Sequence, residues 1–201
     1  SAPDRHRGGD AAPSTQEMYS RLPSTTVVHV ADLTTGLCGE SRPGHFDGVA
    51  TVVTKLFGIV RPDIAVFGQK DFQQAALVRR VIGDLSLGVK LIVHPTVREQ
   101  DGLAMSSRNV YLSKSDRTLA PILYKALQAG AEAIRDGMTA GRRIQTMMTQ
   151  VLRRESAVTV DYLAVCDPVT LMPLESVSDR TVLLGAIRIG NVRLIDNLLV
   201  R

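Results

Sequence analysis

The chain has 201 residues, 24 Lys and Arg against 20 Asp and Glu, and 44% hydrophobic residues. That length suits one large domain or two small ones, and the apolar fraction suits a soluble chain folded around a core. Its basic residues are scattered, with Arg79-Arg80, Arg142-Arg143 and Arg153-Arg154 as isolated pairs, and only 4% of residues are aromatic, which argues against nucleic acid as a partner.

No apolar run approaches the length of a membrane helix, and no charged-then-apolar leader opens the sequence. Cys38 and Cys166 lie far apart, and neither has a Cys or His neighbour at metal-ligand spacing, so neither a zinc site nor a disulfide framework is indicated. A cytoplasmic protein without a membrane partner is expected. The stretch Ser1–Thr15 is rich in Ala, Pro, Gly, Asp and Arg without periodicity, and residues 1–17 are expected to form a disordered arm.

Val27–Val30 is a short strand candidate, followed by the polar segment Thr34–Gly44, expected as an exposed loop with Pro43 as a breaker. Phe46, Val49, Val53, Leu56, Phe57 and Val60 recur at spacings of three and four, which predicts a helix ended by Arg61-Pro62-Asp63. Ile64–Phe67 is a continuously apolar run between turn residues, expected as a parallel strand buried on both faces. A helix over Phe72–Asp84 and a strand over Val89–Val93 complete a βαβ unit, whose ligands generally sit beyond the carboxyl ends of its strands.

The character changes near Pro95. A polar loop to Asn109 leads to predicted helices over Ser115–Asp136 and Ile144–Arg154, then to strands over Val158–Val165, Thr181–Ile187 and Val192–Leu199. Gly190-Asn191 is the expected turn between the last two. The division predicted is 18–95 for the βαβ part and 96–201 for a small α+β domain with antiparallel strands.

Three segments carry chemistry. Gly68-Gln69-Lys70-Asp71 follows a strand and opens a helix, where backbone N–H groups and the helix dipole receive anions. Lys70 adds charge there, Asp71 suits a helix cap or a ribose hydroxyl, and Gln74 can offer an amide to a second ligand. A tight turn with a solvated lysine is the plainer alternative. In Pro95–Asn109, Ser106, Ser107 and Arg108 suit a phosphate chain, with Gly102 as a point of motion. The plainer reading pairs Arg108 with Glu99 or Asp101. In Gly39–Phe46, Arg42 and His45 precede a helix start, and Arg42 could instead pair with Glu40. His6, His29 and His94 have less around them, and no Ser/His/Asp or Cys/His nucleophilic set emerges.

Taken in this order, the words Arg42-Pro43-Gly44-His45-Phe46, Gly48–Val53, Arg61-Pro62-Asp63, Gly68–Asp71 with Gln73-Gln74, and Pro95–Asn109 resemble the pantothenate synthetase family from about Met18 to Leu199. The resemblance implies an incomplete Rossmann-like, nucleotidylyltransferase-type α/β sheet followed by the small α+β domain. It implies a ligase that makes pantoyl adenylate from ATP and pantoate, then passes the pantoyl group to β-alanine, working as a homodimer. Carried over, Gly68, Gln69, Lys70, Asp71, Val97, Met105, Ser106, Ser107 and Arg108 contact ATP, Gln74 holds pantoate, and Lys70 and Arg108 are the catalytic cations.

The family's His-x-Gly-His word has no match in these 201 residues. Its magnesium-side acidic residues would precede Met18, so no metal ligand is assigned here although Mg²⁺ accompanies ATP. The expectation is therefore a ligase fragment of low activity alone. The alternatives are a truncated non-catalytic relative acting as a binding or dimerisation module, and another nucleotidylyltransferase.

Overall fold

The computed structural model describes residues 13–19, 21 and 23–200. The arm expected over residues 1–17 lies outside the described residues up to residue 12. Its remainder is corrected: Ser14 and Glu17 reciprocally cap a single helical turn α1, Thr15–Met18, where a disordered arm was expected to residue 17.

Val27–Val30, expected as a strand, joins no sheet. The Val28 N–H donates instead to Thr51 Oγ1 at 2.9 Å, so a helix side chain takes the place of a ladder partner. Thr34–Gly44, expected as an exposed loop, turns inward: it contains the helical turn α2, Cys38–Ser41, and buries Cys38 and Gly39. Gln73 causes this. Its amide donates to the carbonyls of Leu33 and Gly36 and accepts from the Cys38 N–H.

Helix α3, His45–Val60, starts after Gly44 in the left-handed region and buries Phe46, Ala50, Val53 and Phe57. It stops where Pro62 disfavours helical backbone at Arg61, itself left-handed at φ 51. Strand β1, Ile64–Gly68, and strand β2, Lys90–His94, pair in parallel from Ile64 opposite Lys90 to Gly68 opposite His94, joined by helix α4, Phe72–Asp84. Only one face of this pair is covered, by Val53, Phe57 and Val78 from α3 and α4 packing with Ala65 and Val89. On the opposite face Ile64 is 52%, Val66 64% and Ile92 40% exposed, correcting the expectation of burial on both faces.

Two helices replace the one expected over Ser115–Asp136: α5, Lys114–Leu119, and α6, Ile122–Arg135. Pro121 separates them because it has no N–H to continue the ladder. Helix α7, Gly141–Leu152, precedes strands β3, Val158–Cys166, β4, Thr181–Ile189, and β5, Val192–Val200, which form an antiparallel sheet in that order. Gly190, at φ 54, supplies the expected tight turn between β4 and β5.

Strand alternation sends Leu183 and Ile187 into a core with Leu127, Ile144 and Met148 of α6 and α7. Val182 and Leu184 point the other way, into a core with Val30, Phe46, Ala50 and Leu77. The antiparallel sheet is thus buried on both faces, and the first half of the chain covers one of them. No helix among the described residues is long and apolar enough to cross a membrane.

Candidate nucleotide-binding site

The strand β1 hands over to α4 through a single 3₁₀ turn, Gln69–Asp71, which leaves Lys70 half-buried beyond the carboxyl end of the strand. Asp71 makes no side-chain bond to the helix start, so of its two expected uses the cap is not adopted. Gln74 and Lys70 line a cavity of about 230 Å³ that also takes in Arg42, His45 and Arg108. Gln73, by contrast, is buried as the structural tie described above.

The second segment is a hairpin rather than a flexible strap. Arg98 bridges Ala104, the Glu99 N–H donates to the Leu103 carbonyl, and the Met105 N–H donates to the Val97 carbonyl. Gly102 sits at its tip with φ 94, where an added Cβ would lie 2.6 Å from Tyr124 Cδ1. It forms a tight turn pressed onto an aromatic ring, a conformation that favours glycine. Val97 and Met105 stand side by side and more than half exposed, open to an apolar ring system. Ser106 then caps a 3₁₀ turn, Ser107–Tyr111, by accepting the Arg108 N–H at 3.2 Å, and Ser107 remains exposed.

Electrostatics separate the two readings of Arg108. Glu99 and Asp101 both bind Arg117, which holds each carboxyl below its ordinary value. Among the described residues the Arg108 and Lys70 side chains form no ion pair or hydrogen bond, and the cavity they face is lined by four cations, Arg42, Lys70, Arg108 and Arg193, against two carboxylates, Asp71 and Asp196. That arrangement attracts a polyanion.

Five further residues stand at this cavity: Arg42 and His45, singled out in the sequence but given no role there, and Arg193, Cys38 and Tyr162, which were not. Arg42 and His45 meet at 2.9 Å, and burial, followed by the charges of Arg42 and Arg108, holds the imidazole below its ordinary value while Asp71 pulls the other way. Arg193 reaches the same cavity from β5, tied to Asp161 at 2.7 Å and to Ser41 Oγ at 3.2 Å. Cys38 Sγ and the Tyr162 hydroxyl lie 3.2 Å apart in its wall, with burial as the main cause pushing the phenol upward. The Arg42-His45 spacing was legible; the Arg193 contact, across 155 residues from Cys38, was not.

The sequence profile of the Pantoate-beta-alanine ligase family matches residues 11–199. The chain belongs to that family. It is 48% identical over 193 residues to pantothenate synthetase from Stutzerimonas stutzeri, covering 94% of this chain and 66% of that protein. With the enzyme from Syntrophotalea carbinolica it shares 52% over 172 residues, 86% of this chain and 61% of the relative. Pantothenate synthetase from Thermus thermophilus superposes with a TM-score of 0.88 at 45% identity, over 92% of this chain and 67% of that one. A pantoate-beta-alanine ligase from Francisella tularensis, solved with beta-gamma ATP and beta-alanine, superposes at 0.69 with 30% identity, over 93% of this chain and 62% of that one. The chain thus spans about two thirds or less of the length of the family members it matches first.

Among the described residues no three His, Cys, Asp or Glu side chains come together as a metal site.

Proposed function

We propose that this chain forms the nucleotide-binding wall of an ATP-dependent ligase that joins pantoate to β-alanine. The observation that carries the reading is the convergence of Lys70 and Arg108, free of carboxylate partners among the described residues, on one cavity with Gln74. Family membership supplies the substrates, and the Francisella relative's ATP and β-alanine agree with them.

In the first step a pantoate carboxylate oxygen attacks the α-phosphorus of ATP, forming the acyl–phosphate bond as the α,β-bridging P–O bond breaks and pyrophosphate leaves. Lys70 and Arg108 stabilise the charge that builds on the α-phosphate and the departing pyrophosphate, an electrostatic role rather than a proton transfer. Gln74 orients pantoate, Asp71 accepts a ribose hydroxyl, and Gly68 and Gln69 present backbone to the nucleotide. Val97 and Met105 lie against the adenine, and Ser106 and Ser107 donate to phosphate oxygens. In the second step the β-alanine amine attacks the acyl carbon, AMP leaves, and the nitrogen loses its proton to give the amide.

A second reading is a binding module without turnover. Calorimetric titration with ATP and pyrophosphate release from ATP plus pantoate test both. Micromolar ATP binding with pantoate-dependent release supports the ligase, binding without release supports the module, and no binding removes both.

A cytoplasmic setting fits the use of ATP and the two unpaired, buried cysteines. We also place the chain in a homodimer through α3, although most of its apolar stripe packs into the chain's own cores and only Ile59 and Val60 at its end stand exposed. Sedimentation as a monomer at high micromolar concentration would remove the dimer.

A further inference from the structure

Asp196 and Asn197 sit side by side in the middle of β5, a strand whose other residues apart from Arg193 are apolar, and are 5% and 1% exposed. Because neighbours in a strand face opposite sides of the sheet, the two side chains diverge. Asp196 points with Leu194 toward α6 and receives Arg98 of the hairpin in a two-point ion pair, Nη1 to Oδ2 at 2.6 Å and Nη2 to Oδ1 at 2.9 Å. The same guanidinium lies 3.7 Å from the centre of the Tyr124 ring. Asn197 points the other way. Its amide donates to the carbonyls of Gln69 and Lys70 at 2.9 and 3.0 Å and accepts from Gln69 Nε2 at 3.1 Å. The Asn197 N–H closes the arrangement by donating to Asp196 Oδ1 at 2.8 Å.

From this geometry we propose that Asp196 and Asn197 are positioning residues that hold the two cation-bearing segments, the Lys70 turn and the Arg98 hairpin leading to Arg108, in one rigid frame for the nucleotide. This rests on the nucleotide reading given above. Stability alone does not account for the pair. Burying a carboxylate and a guanidinium costs so much solvation that apolar replacements of similar size are commonly neutral or stabilising. An amide that spends both of its N–H groups on two consecutive carbonyls fixes the orientation of a turn, and a longer or shorter side chain would not reach both. Lys70 and Arg108 lie in segments separated by α4 and β2, and β5 touches both.

The test uses the full 201-residue chain, Asn197→Ser, and the paired replacement Arg98→Met with Asp196→Leu. Ile144→Val serves as a mild core control. ATP affinity is measured well below each melting temperature, with amide exchange at residues 69–72 and 97–105. Asn197→Ser is expected to release the Gln69 and Lys70 carbonyls, loosen the turn so that its amides exchange faster, and weaken ATP binding by roughly tenfold or more. The paired apolar replacement is expected to melt at or above the parent temperature, yet to loosen the hairpin and weaken ATP by a similar factor. Ile144→Val should lower the melt and leave affinity unchanged. Parent-like ATP affinity in both β5 variants overturns the proposal. Should the parent itself bind no ATP, the nucleotide reading falls. The positioning claim is then judged by exchange alone: faster exchange in the turn sustains it, and unchanged protection overturns it.

Discussion

Arg42 Nη1 lies 2.9 Å from His45 Nε2 at the start of α3. A guanidinium has only donors, so Nε2 must be the acceptor and the imidazole is neutral with its proton on Nδ1. The lowered pKa of His45, from burial and then from Arg42 and Arg108, agrees. His45 therefore adds a neutral ring, not a further cation, to the four cationic side chains that line the cavity, Arg42, Lys70, Arg108 and Arg193.

A proton titration of the four histidines followed by NMR should place the His45 midpoint below 6.5, and Arg42→Ala or Arg108→Ala should move it upward. The sign for stability follows. The folded value is below the unfolded one, so His45's contribution is complete above about pH 6.5 and is lost as the pH falls toward the folded midpoint, because the unfolded chain takes up the proton first. A midpoint above 6.5 in the parent, or one indifferent to both substitutions, contradicts the assignment.

The hairpin tip gives a stability prediction. At Gly102 a side chain would meet both a left-handed φ of 94 and the Tyr124 ring at 2.6 Å. Gly102→Ala should destabilise by about 1 to 3 kcal/mol through backbone strain and displacement of the ring. Thermal melts decide this, and a melt equal to the parent's would mean the tip relaxes freely.

Arg117 is about one third exposed and binds Glu99 and Asp101 at once. Solvent screens such pairs, so Arg117→Ala should cost no more than about 1 kcal/mol. Its larger effect should be on the nucleotide, because it leaves Asp101 and Glu99, the latter held by Asn109 one residue from Arg108 in sequence, without their cation. Weaker ATP binding with a nearly unchanged melt is expected; unchanged affinity would show that the released carboxylates do not reach Arg108.

The elements that periodicity defines were readable: α3, α4, the β1–β2 pair and the three antiparallel strands fall within a few residues of the sequence reading. So were the two loops of the site, because Lys70 and Arg108 lie in dense local words. What sequence did not reveal depends on partners distant in the chain. Val27–Val30 has strand composition, but Thr51 takes its backbone N–H. Gly102 reads as a hinge until Tyr124 stands beside it. Asp196-Asn197 left a trace, two adjacent polar residues in the middle of a largely apolar strand, but their partners are 98 and 127 to 128 residues away. Spacing rules do not reach that far.

Lys70 is the residue on which the proposed chemistry depends most. Its turn is held from behind by Asn197, while its side chain faces the cavity without a carboxylate partner among the described residues. An amine that served only solvation could be removed at little cost, since surface substitutions usually change stability by within about half a kcal/mol. Lys70→Ala should accordingly melt like the parent while losing roughly tenfold or more in ATP affinity, with Arg108→Ala behaving alike. The effect on chemistry should exceed that on binding, because charge accumulates on the phosphates as pyrophosphate departs. In a chimera bearing the His-x-Gly-His segment of a relative, pyrophosphate release from ATP and pantoate should fall by about a hundredfold or more, equivalent to roughly 2 to 4 kcal/mol of transition-state stabilisation. Lys70→Arg keeps the charge but alters its reach, and should recover binding better than rate. A Lys70→Ala protein that folds, binds ATP and releases pyrophosphate at the parent rate would take Lys70 out of the mechanism and leave Arg108 to stabilise the phosphates alone.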